Sequence, residues 1–65
     1  MATITRYVLV NREDQEDDYE YAEHEFEAAR LEAARRDCAV IARSYTYDDS
    51  ELVWTPDGTS TWPPV

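Results

Sequence analysis

Hydrophobic and polar positions along this 65-residue chain change period several times, and each change marks an element. Residues 3–10 (TITRYVLV) are rich in β-branched and aromatic side chains, which predicts a strand. Alternation puts Ile4, Arg6, Val8 and Val10 on one face and Thr5, Tyr7 and Leu9 on the other. Val8 and Val10 with Ile4 make the better inward face, leaving Tyr7 and Leu9 partly exposed. Asn11 ends the strand. Farther on, Tyr19, Ala22, Phe26, Ala29 and Ala33 recur at spacings of three and four, one apolar helical stripe anchored by Phe26. This predicts a helix over about 16–36, with Asp14 or Asp17 as N-cap and Asp17/Glu20 spaced as a capping box. Leu31 falls on the opposite side of that helix. Arg30, Arg35 and Arg36 gather at its C-terminal end, where the helix dipole favours cations.

The run 39–47 reads as a second strand, with Val40, Ala42, Ser44 and Thr46 on one face and Ile41, Arg43, Tyr45 and Tyr47 on the other. A polar turn at Asp48-Asp49-Ser50 leads into a third strand over 51–55, making a hairpin. Pro56-Asp57-Gly58 has the chemistry of a tight turn: proline sets φ, and glycine takes the left-handed conformation. TSTW at 59–62 is left as a short fourth strand, stopped by Pro63 and Pro64. The expected fold is α+β: one small domain over residues 1–65, of order β-α-β-β with an optional last strand, in which one helix packs on a three- or four-stranded sheet. Phe26, Val8, Val10, Val40 and Leu52 are its expected core, closed at one end by Trp54 or Trp62.

Size and composition narrow the classes. A chain this short is near the lower limit for folding without metal or disulfides. Its single cysteine, Cys38, excludes an intramolecular disulfide and points to a reducing compartment. Neither a signal peptide nor a run of about 20 apolar residues is present, so a soluble, cytoplasmic protein is expected. Catalytic chemistry finds little purchase. His24, the only histidine, has no evident nucleophile to serve, and Cys38 reads as a buried small residue. The acidic run lacks a glycine-containing calcium loop, and Gly58 is the only glycine, which excludes a phosphate-cradling loop. No enzyme, cofactor or metal site is expected.

Charge changes the picture most. Residues 11–27 hold nine carboxylates against one base, Arg12, and account for most of the chain's net charge of −9. All six basic residues are arginine. Such a balance repels nucleic acid and anionic lipid, so neither direct nucleic-acid binding nor membrane binding is expected. A run of charge is ordinarily a solvated face. Here, however, like charges at i,i+4 (Glu16/Glu20, Glu23/Glu27) would weaken a helix, and Tyr19 and Tyr21, a residue type common in interface anchors, lie among the acids. The candidate partner-binding residues are therefore Glu13, Asp14, Glu16, Asp17, Asp18, Tyr19, Glu20, Tyr21, Glu23 and Glu27, with Asp48, Asp49 and Glu51 of the later turn. Reversing Glu16, Asp17, Glu20 and Glu23 together is expected to leave the fold intact, since they lie off the core stripe.

In size, charge and mixed α/β build, the whole chain resembles the small acidic inhibitors carried by phages and mobile elements, anti-CRISPR proteins among them. The resemblance implies a monomeric, stoichiometric inhibitor whose carboxylates occupy a basic nucleic-acid-binding site on a partner such as a CRISPR–Cas complex. An acidic antitoxin or regulatory subunit would use the same face on a basic partner. A salt-adapted small domain would use its acids only to hold water and cations.

Overall fold

Asn11 turns the chain back at the end of its first strand, β1 (Thr5–Val10). Its side-chain Oδ1 accepts hydrogen bonds from the N–H groups of Glu13 and Gln15 at 3.0 and 2.9 Å. Asp14 takes a left-handed φ of 64°, which Asp tolerates better than most residues. Together they make residues 12–14 a three-residue hairpin loop, and the chain returns antiparallel to β1 as β2 (Glu16–Ala22). This computed structural model describes residues 4–46 and 49–64.

The acidic run is thus a strand where a helix was expected. Helix begins only after β2, as a single 3-10 turn at Glu23–Glu25 that passes into α1 (Phe26–Arg36). The physical reason lies in EDDYEYA itself. In a helix Glu16 and Glu20 would face each other one turn apart, whereas a strand separates them, and alternating tyrosines suit a pleated surface. The expected Asp17/Glu20 capping box is absent. Glu25 instead accepts a hydrogen bond from the Ala22 N–H at 2.8 Å, where the helical segment starts. Asp37 ends α1 at a left-handed φ of 57°, and the Cys38 N–H bonds back to the Ala33 carbonyl at 2.8 Å.

β3 (Ala39–Ser44) and β4 (Asp49–Trp54) complete a four-stranded antiparallel sheet of order β2-β1-β3-β4. The fold is α+β, one helix on a four-stranded sheet. Its fourth strand is the acidic block rather than residues 59–62, which hold bends. The strand expected over 39–47 ends at Ser44; Tyr47 lies outside the described residues. Pro56-Asp57-Gly58 turns as expected, with Gly58 at φ 71° and its N–H directed to the Thr55 carbonyl.

Helix and sheet enclose Leu9, Ala29, Ala33, Cys38 and Val40, flanked by Tyr7, Tyr21, Phe26 and Trp54. Tyr7 and Phe26 meet edge to face at 5.1 Å. This reverses the expected facing of β1. Leu9, with 1% of its surface exposed, is the centre of the helix side, while the equally buried Val8 points the other way. Alanines at 29 and 33 let α1 approach closely enough to cover Leu9 and Val40. Leu31 is exposed, as its place on the helical wheel requires.

Candidate functional site: the acidic edge and the open sheet face

β2 is an edge strand, so its outer side has no neighbour within the sheet. Between the pairs Val8↔Glu20 and Val10↔Glu16, β2 carries two more residues than β1, a bulge that displaces Asp17, Asp18 and Tyr19 from regular pairing. Bulges concentrate at sheet edges and re-aim side chains there. Same-face residues of a strand repeat at about 6.8 Å, against the 5.4 Å or so of a helical turn, so the acids form a longer row than a helix would have made.

Arginines neutralise part of this charge. Asp17 binds Arg36 at 3.1 Å, Glu16 binds Arg43 at 2.6 Å, and Glu27 and Glu32 pair with Arg30 and Arg35 within the helix. Each arginine holds its carboxylate below the usual range, chiefly through the hydrogen bond, in the case of Glu16, Glu27 and Glu32. The basic end of α1 is therefore occupied by ion pairs, not presented as a patch. Glu20 accepts a hydrogen bond from the Tyr45 hydroxyl, which keeps that phenol protonated to higher pH. Glu13, Asp14, Asp18 and Glu23 are exposed and have no ion-pair partner among the described residues. They form a strip from the hairpin loop along β2 to the 3-10 turn.

The other candidate residues divide. Tyr19 is 57% exposed and stacks edge to face on Tyr21 at 4.7 Å. Tyr21 is half-buried against the helix-side core, and burial raises its pKa, so Tyr19 alone is presented outward. Asp49 and Glu51 are exposed on β4, the opposite edge, roughly 14 Å away across three strand spacings. They do not join the strip. Asp48 lies outside the described residues. His24 is exposed in the 3-10 turn, and Cys38 is buried with its thiol pKa pushed up by burial. Among the described residues no group of His, Cys, Asp and Glu side chains is placed to hold a metal ion, and no helix is long and apolar enough to cross a membrane.

The sheet face away from α1 holds what the sequence pattern did not reveal. Val8 lies in a cross-strand row with Glu20, Ile41 and Leu52. Glu16 sits one row to one side and Arg43 one row to the other, so their ion pair crosses the row of Val8, which is buried. Beyond this clasp the 60–62 segment folds over the end of the sheet. The Trp62 indole N–H donates to the carbonyls of Val10 and Asn11 at 3.1 and 3.0 Å. The Arg12 guanidinium lies 4.9 Å from the Trp62 ring centroid and forks to Asp37 and Asp57 at 2.5 and 3.0 Å. One arginine thereby ties the hairpin loop, the helix end, the 56–58 turn and the tail together. A groove of about 370 Å³ remains between tail and sheet, lined by Val10, Ile41, Leu52 and Trp62, with Asp14 and Glu16 among its polar residues.

Comparison with known proteins returns no match to a family model, a curated protein or a solved structure.

Proposed function

We propose that this protein is a stoichiometric inhibitor that sets its acidic β2 edge on a basic, nucleic-acid-binding surface of a partner protein in the cytoplasm, such as a CRISPR–Cas complex. It has no catalysis of its own. The reading is carried by one observation: four exposed carboxylates without arginine partners among the described residues, Glu13, Asp14, Asp18 and Glu23, follow one free edge and its two flanking turns. A row of acids on a protruding strand offers a basic channel the charge it normally receives from a phosphate backbone. Complementary charge of this kind accelerates encounter and fixes register. It also repels a second copy of the same edge, since like charges facing each other across a strand pair are destabilising. The protein therefore acts as a monomer.

The residues to reverse are Glu13, Asp18 and Glu23. Glu16 and Asp17 hold Arg43 and Arg36 and are unsuited to the test, contrary to the expectation from the helical stripe. With the immobilised protein used to retrieve its partner from host extract, the triple Lys variant should bind at least about ten-fold more weakly at low salt. The deficit should shrink as salt screens the contacts, whose range is about 8 Å at physiological ionic strength. Unfolding midpoints should be unchanged. Equal affinity of the variant and the native protein at low salt would reduce the strip to a solvated face.

A further inference from the structure

The groove under Trp62 joins two features that the sequence keeps far apart, an apolar sheet surface and the start of the acidic strip. Val10, Ile41 and Leu52 supply the apolar surface, and Trp62 supplies an aromatic wall. The two arginines that border it are already committed, and Arg6, level with Arg43 in the sheet, is not on the groove lining. Arg43 is bound to Glu16, and Arg12 is shared between Asp37 and Asp57, a triad with one negative charge in excess. Asp14, on the groove lining, has no ion-pair partner among the described residues. The local field is therefore negative over an apolar floor, which suits a side chain with a hydrocarbon stem and a cationic head.

We propose that this groove receives an arginine side chain from the basic partner, its stem on Val10, Ile41 and Leu52 and its guanidinium directed to Asp14 beside the Trp62 ring. Arginine fits better than lysine because its guanidinium is planar, weakly hydrated and able to stack on an aromatic ring. The cavity exceeds one side chain and leaves room for the backbone on either side of it. The inference rests on the partner being basic, and it adds a specific pocket to a contact that charge alone would leave diffuse. Buried anchors of this sort carry a disproportionate share of interface energy, while exposed rim charges carry little.

The test is an NMR titration of the intact, ¹⁵N-labelled protein with the peptide acetyl-Gly-Leu-Arg-Leu-Gly-amide. The counterpart contains citrulline, a neutral isostere, in place of arginine. The arginine peptide should shift the Trp62 indole N–H and the Ile41 and Leu52 amides saturably, and the citrulline peptide should bind several-fold more weakly. Asp14→Asn keeps a residue that tolerates the left-handed conformation. It should weaken the arginine peptide by about three-fold, the effect of one exposed charge contact, and leave the citrulline peptide unchanged. Equal binding of both peptides, or no saturable shift at Trp62, would overturn the pocket. Shifts confined to Asp18, Glu20 and Glu23 would overturn it too, while leaving the acidic edge in place as the docking surface. Conversely, a triple Lys variant with undiminished partner binding would remove the edge reading even if the arginine peptide still moved Trp62.

Discussion

The two faces of this sheet are closed by different physics. On one, α1 lays Ala29 and Ala33 over Leu9 and Val40, and hydrophobic contact excludes water. On the other no helix lies among the described residues. An ion pair between Glu16 and Arg43 arches over Val8, and a tail pinned through Trp62 covers one end. Leu9 and Val8 are equally buried, each 1% exposed, yet one lies under the helix and the other in the row that the Glu16–Arg43 pair crosses. The contrast teaches where a chain this small puts stability and where it leaves surface to work with. The helix-covered face holds the main buried cluster. The open face, bordered by the acidic edge, keeps a groove.

Truncating both residues tests that division most strongly. Leu9→Ala should cost about 3–5 kcal/mol, from lost transfer energy and a cavity that helix and sheet cannot collapse around. So small a domain should then be largely unfolded in urea titrations. Val8→Ala should cost only about 1.5–2 kcal/mol, near the transfer energy of two methyl groups, because the flexible clasp above it can settle. Equal losses would mean that the clasp is as rigid as the helix.

A smaller effect is expected at the tail. Arg12→Met removes the ion pairs to Asp37 and Asp57 and the cation over Trp62. In a Trp54→Phe background, acrylamide quenching of the remaining indole should rise well before global unfolding. Unchanged quenching would show that the two Trp62 hydrogen bonds hold the tail unaided.

Glu16→Gln should have the smallest effect, under about 1 kcal/mol, since Glu16 is half exposed and the pair is screened by solvent. Its pH dependence has a definite sign. Arg43 holds the Glu16 carboxyl below its ordinary value of 4.5. The pair's contribution is therefore complete above that value and is lost as pH falls through the lower, folded-state value. The stability difference between native and variant should be present at pH 7 and shrink as the solution is acidified below 4.5. A difference that persisted in acid would assign it to packing rather than charge.

What could be read from residues alone was local. β-branched and aromatic alternation located β1 and β3, the spacing of Phe26, Ala29 and Ala33 gave the packed face of α1, and Pro56-Asp57-Gly58 gave its turn. The i,i+4 repulsion between Glu16 and Glu20 is visible in the sequence too and weighs against a helix there, and Asn11 with Asp14 is the hairpin signal that completes the case. Charge density singled out the acidic stretch whatever its conformation, since composition does not depend on it, and the structure makes that stretch an edge strand. Two things were decided only by tertiary structure. The facing of β1 depended on where α1 would pack, because Val8/Val10 and Tyr7/Leu9 are both apolar enough to be buried and periodicity cannot choose between them. Which acids stay unpaired, and that a groove lies between Val10 and Trp62, depended on contacts across most of the chain's length. Arg36 reaches Asp17, Arg43 reaches Glu16, and Trp62 reaches the carbonyls of Val10 and Asn11. Such pairings are set by strand order and register, and no local pattern carries them.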